Sequence, residues 1–163
     1  MLIVEHPDVD FNIRDKSGRT ALHCAAINND ILSLLFMLSH CDIHIKDSHQ
    51  GETVLHSAAG FAKFAAVKFL VEKGSNINQG DTYGRRPLHC AVMAGYGKTN
   101  FSDFKKDVFS VVQYLLDNDQ IIADQKDNSG DSALLLAARH ASICSNVAAV
   151  YEFMKSHTKF QRQ

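Results

Sequence analysis

One nine-residue pattern recurs along the chain at a regular spacing. Residues 18–26 read GRTALHCAA, residues 51–59 read GETVLHSAA and residues 84–92 read GRRPLHCAV. Residues 130–138 read GDSALLLAA, a fourth copy in which leucine replaces the histidine. The glycines that open the copies lie 33, 33 and 46 residues apart. This spacing predicts repeated units of about 33 residues, each burying its apolar face against its neighbours, with an insertion in the third unit.

Each copy of the pattern predicts a turn followed by a short helix. Residues 15–18 (DKSG) have the composition of a turn, because Asp bonds to nearby backbone and Gly allows positive φ. Thr20 and Thr53 are the predicted N-caps of helices over residues 21–28 and 54–61. Pro87 stands at a first helical position, where its missing N–H costs nothing.

The residue after each first helix is predicted to adopt the left-handed conformation. Asn29 and Gly95 occupy this place in the first and third units, and both residue types tolerate positive φ. Ala62 and Ala141 occupy it in the second and fourth units. Since alanine avoids this region, we expect slightly strained or rewired turns at those two positions.

Apolar residues at helical spacing predict a second helix in each unit. In the third unit the spacing extends back through Val108 to Phe104. We interpret the insertion, about residues 97–109, as a short loop followed by roughly two extra turns of this helix, with Ser102 as its cap. The predicted core positions are Ile31, Leu34, Leu35 and Leu38; Phe64, Val67, Leu70 and Val71; Val111, Val112, Leu115 and Leu116.

The repeated pattern resembles the T-P-L-H-x-A core of the ankyrin repeat, and three copies keep the 33-residue register. The resemblance implies an all-α solenoid of stacked helix-turn-helix units with β-hairpin or turn tips. It also implies that His23, His56 and His89 bond to the hairpin of the adjacent repeat, with Thr20 and Thr53 among their partners. We expect one domain over residues 1–163: a partial repeat (1–14), four repeats (15–47, 48–80, 81–126 with the insertion, and 127–158 as a C-terminal cap) and a tail (159–163). The partial repeat indicates either a piece of a longer array or a minimal cap.

The composition is that of a globular protein, with 45% apolar and 21% charged residues. A formal net charge of -1 gives no general attraction to nucleic acid or anionic membrane, so we expect neither as a partner. Four scattered cysteines do not form a disulfide framework, and free thiols favour a reducing compartment. With no secretory signal or apolar run of bilayer length, we expect an intracellular, cytoplasmic monomer, the nucleus being an alternative.

Two patterns resemble chemical sites but lack the required spacing. Residues 97–99 (GKT) match the end of a phosphate-binding loop, yet Val92 stands where that loop needs a glycine. The His-Cys pairs at residues 23–24 and 89–90 lie two repeats apart, too far to supply the converging ligands of zinc. No nucleophile or acid–base motif is present. We therefore predict no catalytic, cofactor or metal site.

The resemblance implies protein recognition through the hairpin tips and the exposed, concave face of the first helices. Tyr83 and Arg85 are residue types enriched at binding hot spots, and we expect their joint replacement by alanine to weaken partner capture without changing the melting temperature. A second hypothesis gives binding to the insertion, through Phe101 and Phe104. The candidate partner-binding residues are Arg14, Lys16, Arg19, His49, Gln50, Phe61, Tyr83, Arg85, Met93, Phe101 and Phe104.

The predicted function is a non-catalytic protein–protein interaction module, a scaffold or adaptor for a protein or peptide partner. Two alternatives stay open: an ankyrin-only inhibitor of a transcription factor, similar to the inhibitors of NF-kappa-B, and a regulatory or targeting ankyrin segment of a larger enzyme or channel. Asn78, with Leu70 eight residues before it, resembles ankyrin asparagines that an Fe(II) oxygenase hydroxylates. A hairpin-capping role is the favoured interpretation of this asparagine.

Overall fold

The computed structural model describes the backbone of residues 9–95 and 102–160, and the side chains of the same residues except 102–106 and 158. Within these ranges the chain forms four helix pairs and no extended strand, which confirms the predicted all-α solenoid of paired helices. Isolated antiparallel bridges close three of the hairpins, for example between Lys46 and Thr53. The helices are α1 Ala21–Ile27, α2 Ile31–Met37, α3 Val54–Gly60, α4 Phe64–Glu72, α5 Pro87–Ala94, α6 Ser102–Asp117, α7 Ala133–Ala141 and α8 Ser145–Ser156, followed by a 3-10 turn over Thr158–Phe160.

The helices form two layers. The inner layer consists of α1, α3, α5 and α7, each packed on the next, and the outer layer consists of α2, α4, α6 and α8. Small residues make the inner layer compact, because Ala26, Ala58, Ala59 and Ala91 are completely buried. Each unit buries its apolar side chains against the neighbouring units, as expected of a solenoid.

The predicted starts of the first helices are confirmed. Thr20 and Thr53 are the N-caps of α1 and α3, and Pro87 is the first residue of α5. Ser132 caps α7 in the fourth unit, where its side chain accepts a hydrogen bond from the backbone N–H of Leu135 at 3.3 Å. The four hairpins therefore stand at equivalent positions beside the inner layer.

The ends of the first helices differ from repeat to repeat. Asn29 is left-handed (φ 59°) as predicted, and Ala62 adopts the strained left-handed conformation (φ 53°). The prediction for Gly95 is wrong, because its φ of −68° is right-handed. A Cβ at Gly95 would lie 3.3 Å from Cγ2 of Val147, so this glycine allows close packing of α8 and does not form a left-handed cap. In the fourth unit the turn is rewired as expected, since α7 continues through Ala141.

The outer layer confirms most of the predicted core positions, including all four in α6. Leu34 is fully buried, but the neighbouring Leu35 is 53% exposed and was wrongly predicted to be in the core. Adjacent residues of a helix point about 100° apart, so α2 buries one of the two against α1 and leaves the other in solvent. Phe64 is likewise more exposed than predicted, at 37%.

The long second helix of the third unit is confirmed. Helix α6 has 16 residues where α4 has nine, and the additional residues at its N-terminal end amount to about two turns. Val108 in this extension is buried. Phe101, the side chain of Phe104 and the predicted capping bond of Ser102 lie outside the described part of the chain.

Candidate partner-binding groove

Each hairpin tip is built around an aspartate that accepts hydrogen bonds from its own turn. In the second tip, Asp47 Oδ1 accepts from three backbone N–H groups of residues 49–51 at 2.7–3.0 Å. Asp81 accepts from two backbone N–H groups in the third tip, both at 2.9 Å. Asp15 and Asp127 do the same in the first and fourth tips. These bonds fix the loops, so the side chains at the tips are presented from a rigid backbone.

Hydrogen bonds also join each tip to the next. The backbone N–H groups of Ser48, Thr82 and Asn128 each donate to a carbonyl oxygen of the preceding tip at 2.9–3.0 Å. The four tips therefore form one continuous row along the solenoid, and a partner that contacts several tips meets a fixed surface.

Three buried histidines connect the inner helices to this row, as the family resemblance implied. The ring Nδ1 of His23, His56 and His89 accepts the backbone N–H of the preceding N-cap residue at 3.2–3.3 Å. The opposite ring nitrogen, Nε2, must then carry the proton, and it donates to a backbone carbonyl of the next tip at 3.0–3.1 Å. The accepting carbonyl groups belong to Glu52, Arg85 and Asp131.

Burial keeps these histidines neutral. It lowers the pKa of His23 and His89, and it lowers the pKa of His56 to about 4. An uncharged ring that accepts at Nδ1 and donates at Nε2 is the form that both hydrogen bonds require.

A groove runs between the row of tips and the inner helices, and it widens into two hollows. The first hollow, about 390 Å³, lies between the first two units and includes Arg19, Ile27 and His49 in its wall. The second, about 200 Å³, lies between the second and third units and includes Gly60 and Met93. Glu52, Ser57 and Phe61 line both hollows, so the two are parts of one groove. Phe61, 40% exposed, stands between them.

Arg85 joins neighbouring tips in the wall of this groove through three side-chain hydrogen bonds. Its Nε donates to Asp81 Oδ2 at 2.7 Å, and its Nη2 donates to Gln50 Oε1 at 2.7 Å and to Glu52 Oε1 at 3.3 Å. The guanidinium also lies over the ring of Tyr83, 4.9 Å from its centroid. Since Arg85 joins the second tip to the third, we expect its replacement to reduce stability. These contacts argue against the prediction that Tyr83 and Arg85 can be replaced together without a change in melting temperature.

The carboxyl group of Glu52 lies in the wall of the groove among charges of both signs. Burial raises the pKa of its carboxyl, and the negative charges of Asp47 and Asp81 raise it further, while Arg85 and Arg19 act in the opposite direction. The net shift is upward, so the nearby cations do not fully offset the burial of this carboxylate.

The groove brings together six of the predicted partner-binding residues. Tyr83 lies beside them at the third tip and is 56% exposed. Arg14 and Lys16 are exposed on the first tip but do not line the hollows, and Arg14 donates to the carbonyl oxygens of Gly18 and Lys46 at 2.8 Å. The residues that line the hollows are Arg19, His49, Gln50, Phe61, Arg85 and Met93.

Several lining residues were not among the predicted set. Ser57 and Cys90, which lie 33 residues apart at the same place in their repeats, also line the second hollow. Glu52 directly precedes the N-cap Thr53 in the sequence, and its proximity to both hollows depends on the packing of neighbouring repeats.

The contacts of Asn78 support a structural role. Its Nδ2 donates to the carbonyl oxygen of Gln120 at 2.7 Å, and its Oδ1 accepts the backbone N–H of Ile122 at 2.9 Å. This asparagine therefore joins the end of the second unit to the equivalent turn of the third.

Within the described ranges, no group of three or more His, Cys, Asp or Glu side chains is arranged to hold a metal ion. None of the described helices combines the length and apolarity needed to cross a bilayer. The described residues form a helical repeat solenoid, with two layers of packed helices, a row of hydrogen-bonded tips and an open groove. Proteins of this class use such extended surfaces for binding.

Comparison with known proteins identifies which solenoid this is. A family model described as ankyrin repeats (3 copies) matches residues 28–100, and one described as ankyrin repeats (many copies) matches residues 1–39. The chain belongs to the ankyrin-repeat family, whose repeats form protein–protein interaction modules.

Similar curated proteins are much longer than this chain. Human neurogenic locus notch homolog protein 4 is 42% identical over 91 residues, which cover 56% of this chain and 4% of that protein. Neurogenic locus notch homolog protein 1 is 31% identical in the mouse, over 82% of this chain, and 31% identical in Xenopus tropicalis, over 91%. The chain spans about one twentieth of the length of these relatives.

Proposed function

We propose that the chain is a non-catalytic recognition module, a scaffold or adaptor, that binds a protein or peptide partner in the groove between the hairpin tips and the inner helices. The main support for this proposal is that the groove is continuous across three repeats, since the two hollows share lining residues. Exposed apolar surface at Phe61 lies between two hollows that share their walls. An apolar group held at the centre of a rigid, polar-rimmed groove has the anatomy of a protein-binding surface.

Site-specific photo-cross-linking tests this proposal, because the chain offers a matched pair of phenylalanines. Phe61 lies in the groove and is 40% exposed, whereas Phe64 lies on the outer layer, against Tyr114, and is 37% exposed. Each is replaced singly by p-benzoylphenylalanine in cells that express the chain, and the adducts are resolved after irradiation.

We expect a defined protein adduct from position 61 and a much weaker one, or none, from position 64. Adducts of equal yield from both positions, or adducts from position 64 alone, would contradict binding in the groove. Comparable melting temperatures of the two variants serve as the control for folding.

The insertion provides the second candidate surface. The two additional turns of α6 favour it, because they lengthen one outer helix beyond its neighbours. Deletion of residues 97–106 should abolish adduct formation if this surface binds the partner, and it should leave the adduct at position 61 intact if the groove does.

A further inference from the structure

The second hollow lies at Gly60, a position of the inner layer where the neighbouring repeats carry larger side chains. Gly60 is separated by 33 residues from Ile27 on one side and from Met93 on the other, and all three occupy the same place in their repeats. The glycine leaves a space of about 200 Å³ bounded by Phe61, Met93 and Ala94. Small-molecule sites are usually larger, about 300–1,000 Å³. The size of the hollow therefore fits a single large side chain of a peptide.

The charged wall beside this hollow has an excess of negative charge. Three carboxylates, those of Asp47, Glu52 and Asp81, lie around the junction of the second and third tips, together with two cations, Arg85 and Lys46, the Nζ of Lys46 being 3.4 Å from the carbonyl oxygen of Gly80. Arg19 also faces this region, but it is paired with Asp15 at 2.9 Å. Counting these groups leaves a local surplus of acid over base.

Glu52 is the carboxylate in this group that is placed to receive a partner cation. Asp47 and Asp81 accept backbone N–H groups of their own turns, so their carboxylate oxygens are already engaged in hydrogen bonds within the chain. In the described part of the chain, the carboxylate of Glu52 is contacted by Arg85 at 3.3 Å, the longest of the three side-chain bonds that Arg85 makes. Its side chain is 24% exposed and lines both hollows.

We propose that the groove recognises a peptide segment in which a large apolar side chain stands next to a lysine or arginine. The apolar side chain fills the hollow at Gly60, and the cation pairs with Glu52. This inference rests on the proposed function and adds the chemistry of the partner. A cation at Glu52 forms a partly buried, charge-assisted hydrogen bond, and the apolar anchor beside it excludes water from that bond.

Selection from a random dodecapeptide library displayed on phage, with the purified chain of residues 1–163 as the bait, tests the inference. We expect enriched peptides to contain an aliphatic or aromatic residue within a few positions of a lysine or arginine. The most enriched sequence is then synthesised with a fluorescent label, and its Kd is measured by fluorescence polarisation. Binding should weaken as the salt concentration rises, because the pair at Glu52 is partly exposed.

Three variants separate the contributions of charge and of shape. Glu52→Gln should weaken the synthetic peptide about fivefold or more, corresponding to loss of one charge-assisted bond, and Glu52→Lys should redirect a new selection towards acidic peptides. Gly60→Leu should abolish binding by filling the hollow, and its Cβ would meet Cys90 Cβ at an ordinary 3.7 Å. Glu72→Gln on the outer layer, where Glu72 lies 3.9 Å from Lys68, is the matched control and should leave the Kd unchanged.

Each of the following outcomes would contradict the inference, and each would show which part of it is wrong. A selection that yields no enriched sequence, or acidic or uncharged peptides, contradicts it. If Gly60→Leu abolishes binding while Glu52→Gln and Glu52→Lys do not alter it, the groove binds peptides but the basic preference is wrong. If all the groove variants bind the peptide as the unmodified chain does, the site lies elsewhere and the proposed function fails as well. Melting temperatures of the variants show that each one is folded.

Discussion

The Nε2 atom of His56 lies 3.0 Å from the backbone carbonyl oxygen of Arg85, a residue of the next repeat. The side chain of Arg85 in turn contacts Gln50 and Glu52 in the tip of the repeat that contains His56. The second and third repeats are therefore joined twice, once through a buried neutral ring and once through a partly buried cation. Both links hold the wall of the groove, so the stability of the solenoid and the shape of its binding surface depend on the same residues.

Replacement of His56 by alanine should lower the free energy of unfolding by about 2–4 kcal/mol. The change removes a fully buried side chain and leaves the carbonyl group of Arg85 and the N–H group of Thr53 without the bonds that the ring supplies. Urea unfolding followed by circular dichroism measures the loss. The exposed His44 is the control, since its replacement by alanine should change the stability by no more than about 0.5 kcal/mol. Equal effects of the two replacements would show that the bond to the next repeat is not important.

Stability should fall as the pH is lowered from about 6.5 to about 4. The pKa of His56 is about 4 in the folded chain and about 6.5 in the unfolded one, so between these values the unfolded chain binds the extra proton. Proton uptake by the unfolded state favours unfolding, and the full shift corresponds to about 3 kcal/mol. The lowered pKa values of His23 and His89 act in the same direction.

Urea midpoints measured at several pH values between 7 and 4 test this dependence. His56→Gln, which has no titrating ring, should show a smaller slope of unfolding free energy against pH. A stability that is constant or rises on acidification would contradict the assignment of neutral, buried histidines.

Two alanines at the same place in their repeats should respond differently to replacement by glycine. Ala62 is left-handed, a conformation that costs a residue with a Cβ roughly 1–2 kcal/mol, so glycine relieves strain and offsets the loss of a buried methyl group. Ala141 is the last residue of α7 and has a right-handed conformation, so glycine relieves no strain there and lowers the helix propensity. Thermal unfolding should therefore give a higher melting temperature for Ala62→Gly than for Ala141→Gly. The reverse order would mean that the strain at Ala62 is negligible.

Leu34 and Leu35 should differ sharply although they are neighbours in α2. Leu34→Ala should cost about 2–5 kcal/mol because Leu34 is fully buried, whereas Leu35→Lys should be close to neutral because Leu35 is half exposed. The equivalent residue of the next repeat is already a lysine, Lys68, which is exposed. Chemical denaturation of both variants measures the difference. A large loss of stability in Leu35→Lys would place that side chain in a buried contact.

The parts of the fold that depend on local chemistry were predictable from the sequence. Thr20, Thr53 and Pro87 mark helix starts because capping and the missing proline N–H act within one turn. The conformation of Gly95 was not predictable, since it depends on the approach of Val147, which lies 52 residues further along the chain.

The candidate site shows the same limit. Tyr83, Arg85 and Phe61 could be assigned to the concave side by repeat register alone. Arg85 makes three side-chain hydrogen bonds, and Glu52 lines both hollows. Both features depend on how closely the tips of neighbouring repeats approach each other, and the sequence of a single repeat does not indicate that distance.

The groove is the central claim, and the most direct test is the affinity of the partner recovered through the adduct at position 61. Its Kd is measured by titration calorimetry against the unmodified chain, Gly60→Leu and Ala65→Leu, the last of which adds the same side chain to the exposed surface of α4. Binding in the groove predicts that Gly60→Leu weakens the partner at least tenfold while Ala65→Leu binds as the unmodified chain does. Equal affinities of the three proteins would contradict it.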